Sequence, residues 1–182
     1  MEKNNLPKLA DLYKGELATL KNQNDLNLLL NQSPNEKWIK NHPYAKKVKY
    51  LTIQRIEYLM TSIFIKWKVE IKETKIIANS VVTVIRLHYK DPITFEWDWQ
   101  DGIGAAPLQT DKDTGAIDFN HIKNDAVMKA APASESFAIK DAAHKLGKLF
   151  GKDLIREDEI IYNSLAKKFN KDLDQLFDDQ NK

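Results

Sequence analysis

The fold is decided by residues 80–90, which read SVVTVIRLHYK. Uncharged, mostly apolar side chains recur at every second position, and Arg86, His88 and Lys90 fall between them. A period of two is typical of a β-strand that turns one face to a core. The strand is predicted to span Ser80 to Lys90, and its buried face comprises Val81, Thr83, Ile85, Leu87 and Tyr89.

Shorter alternating stretches lie on both sides of this strand. Residues 66–71 (KWKVEI) alternate charged and apolar side chains, and residues 95–100 (FEWDWQ) follow the turn at Asp91-Pro92. The two stretches and the strand between them predict a three-stranded antiparallel meander. We expect the third strand to end at the glycines and the proline of residues 102–107 (GIGAAP), with a polar loop over 105–121.

A long helix is predicted from about residue 123 to residue 152, with a possible break at Pro132. One arc of it is apolar and would pack on the sheet, which makes the fold α+β with a β-β-β-α core and flanking helices. Gly147 inside this helix costs about 1 kcal/mol relative to Ala, so a neighbouring element or a ligand is expected close to its backbone. The apolar arc comprises Ile139, Ala142, Ala143, Leu146, Leu149 and Phe150.

The length of 182 residues suits one domain. We expect an N-terminal helical extension over 1–40 for oligomer contact or packing, a core over 41–156, and an acidic, weakly helical tail over 157–182.

The chain has no cysteine, which excludes disulfide frameworks, thiolate zinc sites and cysteine nucleophiles. No apolar run reaches the roughly 18 residues of a membrane helix, and no secretory signal opens the chain, so a cytoplasmic protein without membrane partners is expected.

Positive charge is concentrated in the middle of the chain. Residues 40–75 contain nine basic and three acidic side chains, a local charge of +6, whereas the whole chain has a net charge of +2. Such clustering builds a potential that attracts polyanions. The alternative is a solvated, lysine-rich surface.

Two sets of basic residues could contact phosphates. On the predicted long helix, Lys145, Lys148 and Lys152 lie nearly opposite the apolar arc, with His144 and Lys140 beside them. The ammonium groups are about one turn or roughly 5 Å apart, within reach of successive phosphates of a single strand. An ordinary amphipathic helix is the alternative. The helix set comprises Lys140, His144, Lys145, Lys148 and Lys152; the strand set, which could equally be a solvated strand face, comprises Lys66, Lys68 and Lys72.

The order of these motifs resembles the Rad-fifty-two family of single-strand annealing proteins, including the phage Sak-type members. The resemblance covers about residues 47–154 and rests on residues 50–55 (YLTIQR), 99–104 (WQDGIG) and 138–151 (AIKDAAHKLGKLFG), with the meander between the first two. The matching positions are Arg55, Gly102, Gly104, Asp141, Lys145, Lys148, Phe150 and Gly151.

The resemblance implies an ATP-independent, cofactor-free protein that assembles into rings or helical oligomers. It would bind single-stranded DNA in a basic groove and anneal complementary strands in homologous recombination, as a phage-type protein in the cytoplasm of a bacterial host. A nuclease or a single-strand binding protein is an expected partner. By that match, Arg55, Lys145 and Lys148 would line the strand-holding site, and His144 stands at the family's first basic position of the helix.

Two other functions remain open from the residues alone. The first is a magnesium-dependent recombination nuclease, because Glu70-Ile71-Lys72 fits half of a restriction-type metal site. The acidic partner of that half-site should come shortly before it at a strand end, where the sequence offers only Glu57, within a predicted helix. A scaffold that binds no DNA is the second. Trp67, Trp97 and Trp99 could stack on bases, but their alternation favours a place in the core.

Overall fold

The structure is a computed structural model that describes residues 17–42, 48–112 and 118–154. It confirms an α+β fold in which a three-stranded antiparallel sheet is followed by a helix and flanked by other helices. The whole acidic tail and the first sixteen residues of the predicted extension lie outside the described ranges. The elements are α1 (Leu17–Leu30), β1 (Ile39–Asn41), β2 (Lys49–Leu51), α2 (Ile53–Ile63), β3 (Trp67–Ile77), β4 (Ser80–Lys90), β5 (Trp97–Pro107) and α3 (Ala126–His144).

The sheet has the order β3-β4-β5, and β4 lies in its centre. The predicted bounds of β4 are confirmed, and its predicted face is buried while the alternate residues are partly exposed. Strand β3 runs six residues beyond the predicted end at Ile71. A β-bulge between Ile71 and Glu73 shifts the register there, and the extra residue interrupts the period of two by which a strand is recognised.

Strand β5 does not end at its glycines, which corrects the prediction: it continues through Gly102 and Gly104 to Pro107. A Cβ atom on Gly102 would overlap the carbonyl oxygen of Ala138, and one on Gly104 would overlap that of Ser134. The glycines are therefore the positions at which α3 crosses the strand with its backbone in contact. The helix presents a ridge of small, buried side chains there: Ala130, Ser134, Ala138 and Ala142.

Helix α3 ends at His144, eight residues before the predicted end, and Pro132 lies inside it without breaking it. Gly147 has a φ of 154° and Gly151 a φ of 96°, and the 3-10 turn Lys148–Phe150 lies between them. These φ values are outside the helical range. A Cβ on Gly147 would overlap the carbonyl oxygen of Leu30, so the expected close approach is confirmed and the neighbour is the end of α1.

The core lies between the sheet and the helices. Its larger cluster joins α2, β4, α3 and the 3-10 turn, where the Phe64 ring stands 4.6 Å from that of Tyr89 and 6.5 Å from that of Phe150. A smaller cluster fills the other end of the sheet around Val81 and Leu108. The two clusters cover one face of β4 and β5 and leave the opposite face of the sheet open.

The glycine contact predicts a strong effect of a single methyl group. Gly104→Ala should lower the free energy of unfolding by about 2 kcal/mol or more, because the added Cβ meets the backbone of α3, which cannot move aside without disturbing the core. Ala105→Ser, on the exposed side of the same strand, should change it by less than about 0.5 kcal/mol. Urea unfolding of both variants checks this, and equal midpoints would contradict the close crossing.

Candidate nucleic-acid interface

The structure distributes the nine predicted DNA-binding residues over several surfaces. Lys140 and His144 lie on α3, with Lys145 directly after it; Lys148 and Lys152 follow in the turns beyond; Arg55 lies on α2; Lys66, Lys68 and Lys72 lie at or on β3. The prediction that the basic residues of the long helix form a single row of ammonium groups is therefore wrong. Because the helix ends at His144, Lys148 and Lys152 do not continue its face.

The first surface is a cleft between α3 and the two-stranded β1–β2 ribbon. The ribbon is antiparallel, and His42 donates its backbone N–H to Val48 at 2.8 Å. The directly paired residues Ile39 and Leu51 of the two strands pack against the core. We call this surface the ribbon–helix cleft; it is an open pocket of about 500 Å³, lined by His42, Val48, Tyr50, Phe137, Lys140, Asp141 and His144.

Lys140 lies between aromatic rings of this cleft. Its Nζ atom is 4.8 Å from the ring centre of Phe137 and 5.3 Å from that of Tyr50. Burial lowers the pKa of the Lys140 ammonium, because a half-buried charge loses part of its hydration. Phe137 is 44% exposed. The cleft thus combines a cation with an accessible aromatic surface.

Arg55 lies at the start of α2 in a second cation–aromatic group. Its guanidinium carbon is 4.4 Å from the ring centre of Trp38 and 5.3 Å from that of Tyr58. Trp38 directly precedes β1, and Tyr58 is more than half exposed. The two rings hold the guanidinium at the surface, where it can still reach a phosphate.

Lys145 contacts the edge of the sheet. Its ammonium donates to the carbonyl oxygen of Asp101 and lies 3.4 Å from Oδ2 of Asp141. The same Asp141 oxygen accepts the backbone N–H of Ile103 at 3.1 Å. Lys145 and Asp141 therefore fasten α3 to the outer edge of β5, and the side chain of Lys145 remains about half exposed.

Lys148 is buried, with a relative exposure of 5%, and its ammonium lies 3.4 Å from Oδ2 of Asp153. The prediction that it stands in a solvent-facing row is wrong. The turn between Gly147 and Gly151 points this residue inward together with Leu149 and Phe150. Lys152, one residue beyond the turn, is partly exposed.

The second surface is the open face of the sheet, opposite α3. Trp97 is 50% exposed and Trp99 46% exposed, so the prediction that they belong to the core is wrong. Trp67 does pack against the core, and its indole N–H donates to Thr61 at 3.0 Å. Alternation shows that residues share a face, but it does not show which face is covered.

Cations lie beside both exposed indoles. Lys68 Nζ is 5.7 Å from the ring centre of Trp97, and the Arg86 guanidinium carbon is 4.4 Å from that of Trp99. Arg86 also forms a two-pronged ion pair with Asp101, at 2.7 and 2.9 Å. This pair raises the pKa of Arg86 and lowers that of Asp101. Arg86 was not among the DNA-binding residues predicted from the sequence. Its position on the exposed face of β4 could have indicated it.

The remaining charges of this face are mostly paired. Glu70 binds His88 at 2.9 Å and Lys72 at 3.0 Å, and these two hydrogen bonds lower its pKa to about 2. Lys66 is exposed just before β3. Among the described residues, Lys66, Lys68 and Lys90 form no ion pair with a carboxylate, whereas Lys72, Lys75, Arg86 and His88 each do.

The half-site of the nuclease alternative, Glu70-Ile71-Lys72, lies on β3. Glu70 and Lys72 bind each other. Within residues 17–42, 48–112 and 118–154, no three His, Cys, Asp or Glu side chains come together in a way that could hold a metal ion. In the same ranges, every helix is too short or too polar to cross a lipid bilayer.

The chain matches no protein-family model, and the search of curated proteins found no significant match.

Acidification should lower the stability of the protein through Glu70 on the open face of the sheet. Because the pKa of Glu70 in the folded state lies near 2, below the ordinary value of 4.5, its contribution to stability is present above pH 4.5 and is lost as the pH falls towards 2. Glu70→Gln should flatten the dependence of the urea midpoint on pH across that window, whereas Glu57→Gln on α2 should not. An unchanged slope in Glu70→Gln would contradict the pairing with His88 and Lys72.

The buried position of Lys148 predicts a structural role. Lys148→Ala should lower the free energy of unfolding by roughly 2 kcal/mol, because it removes the ammonium beside Asp153 and the packed methylene chain. Lys152→Ala should change it by less than about 0.5 kcal/mol. Thermal or urea unfolding measures both, and equal stabilities would argue against a buried Lys148.

Proposed function

We propose that this protein binds single-stranded DNA without ATP and anneals complementary strands in homologous recombination, as a ring or helical homo-oligomer. The observation that supports this best is the ribbon–helix cleft, where Lys140 lies between Phe137 and Tyr50 beside His144. Single strands are bound without sequence preference by surfaces that join cations for the backbone to aromatic rings for the bases. The cleft has both.

The cleft contains two of the predicted DNA-binding residues, Lys140 and His144, but of the basic positions that the resemblance implies it contains His144 alone. Arg55 forms its own aromatic group near the start of the ribbon. Lys145 is tied to β5, and Lys148 is buried. The phosphate contacts in this proposal therefore come first from Lys140 and Arg55.

Annealing breaks and forms no covalent bond, so the proposal requires neither a catalytic acid or base nor a metal. It requires backbone contacts that neutralise phosphates and a unit that repeats along the strand. Ile71, Ile76 and Ile77 of the edge strand β3 are each more than half exposed. Such apolar side chains support association between copies.

A strand-pairing assay tests the function directly. Two complementary oligonucleotides, one with a fluorophore and one with a quencher, are mixed with the protein without ATP, in EDTA or in magnesium. Pairing faster than in buffer, equally in EDTA and with intact strands on a gel, is expected. Strands shortened only in magnesium would indicate a nuclease, and neither binding nor cleavage would leave a scaffold; either outcome would overturn the proposal.

Lys140 provides the residue-level test. Lys140→Gln should weaken binding to unrelated single-stranded sequences to a similar extent and reduce the slope of log affinity against log salt by roughly 0.7 for the lost phosphate contact. Lys129→Gln is the matched control, because it removes the same charge from the exposed side of α3, where Lys129 pairs with Asp125 at 2.6 Å. Equal binding by both variants would move the strand out of the cleft.

A further inference from the structure

We propose that the open face of the sheet is a separate surface for single-stranded DNA, on which bases stack against Trp97 and Trp99. The inference rests on the proposed function only in taking single-stranded DNA as the ligand. The surface lies on the opposite side of the sheet from α3 and shares no residue with the ribbon–helix cleft.

The two indoles are placed outward by the strand itself. In β5, Asp98 and Gln100 lie opposite Tyr89 and Leu87 on the side of α3, so Trp97 and Trp99 point to the other side. About half of the surface of each of these two residues remains exposed. Exposing this much aromatic surface costs stability, which is a common mark of a binding site on a protein surface.

The spacing of the indoles suits an extended strand. Residues i and i+2 of a β-strand are about 6.7 Å apart, roughly twice the 3.4 Å rise per nucleotide of a stacked strand. Bases pulled apart by this distance could each meet one ring. Stacking on aromatic rings does not depend on base identity, as a protein that handles any sequence requires.

The excess of cations on this face favours an anionic ligand, and the two indoles favour one with aromatic rings. Trp97 lies opposite Lys90 in the register, and Lys68 approaches its ring from the far strand. Neither lysine has a carboxylate partner among the described residues, so both remain available for phosphates. The cations of the face outnumber its carboxylates: Lys68, Lys72, Lys75, Arg86 and Lys90 against Glu70, Glu73 and Asp101.

Arg86 gives the second indole a fixed position. Its guanidinium is held by both oxygens of Asp101 and lies 4.4 Å from the centre of the Trp99 ring. A guanidinium held in place in this way adds a second planar group on which a base can stack. Arg86 therefore orders the surface before the strand arrives, which reduces the entropy lost on binding.

The test separates stacking from phosphate contacts. Binding of a labelled oligothymidylate is compared with binding of an abasic strand of equal length, which keeps the phosphates and lacks the bases. Trp97→Leu with Trp99→Leu should weaken oligothymidylate binding by about tenfold or more and leave abasic binding and the salt slope unchanged. Phe119→Leu, which changes an aromatic residue that is 58% exposed elsewhere on the protein, should alter neither.

A second measurement keeps Trp97 and Trp99 in place and therefore does not depend on the stability of the variant in which both are replaced by Leu. Trp38→Phe with Trp67→Phe leaves Trp97 and Trp99 as the only indoles in the chain. Oligothymidylate should quench their fluorescence, and the abasic strand should quench it much less. Both measurements use the full-length chain.

The outcomes distinguish the two proposals. Unchanged oligothymidylate affinity in the Trp97 and Trp99 variant, without quenching, overturns the stacking surface, and it leaves the proposed function standing if Lys140→Gln still weakens binding. An equal loss for the abasic strand also overturns stacking, because the contacts would then be electrostatic. Wild-type protein that binds neither strand overturns both proposals.

Discussion

The arrangement of this protein depends on the contact between the backbone of β5 and the backbone of α3. Gly102 and Gly104 leave no Cβ between them and the carbonyl oxygens of Ala138 and Ser134. At this short distance the position of α3 along and across the strand is tightly constrained. The buried hydroxyls of Thr83 and Ser134, 2.7 Å apart, add a polar contact at the same crossing. Both surfaces follow from it, because the crossing directs Phe137 and Lys140 towards the ribbon and leaves Trp97 and Trp99 on the uncovered side.

The sequence was sufficient to predict elements whose side chains repeat without interruption. Strand β4 alternates over its whole length, and its bounds and buried face could be derived from that pattern alone. The prediction failed where one residue changed the repeat. The bulge after Ile71 hid the second half of β3, and Gly102 and Gly104 were interpreted as a strand end although they belong to a strand under a helix. Distinguishing these two roles of glycine requires knowing what packs above it, which is a tertiary property.

The sequence predicted which residues belong to the candidate site better than it predicted how they are arranged. Lys140 and His144 were selected from the helix pattern, and the structure places both in one cleft. The same pattern, continued past Gly147, wrongly put Lys148 on the surface, because a helical projection assumes that the helix continues. The partners of Lys140 and Lys145 could not be predicted, since Tyr50 and Asp101 are far from them along the chain. The exposed tryptophans were missed because alternation does not identify the covered face of a sheet.

The fastening of β5 by Asp141 and Lys145 also limits how copies of this chain can join. An added strand would need the N–H of Ile103 and the carbonyl of Asp101, and both are already occupied by side chains of the same molecule. Among the described strands, β3 is the other edge of the sheet. A sheet that continued through many copies would need two available edges in each. Pairing through β3 would join two molecules, and at residues 101–103 of β5 the side chains of Lys145 and Asp141 occupy the groups that a further strand would bond.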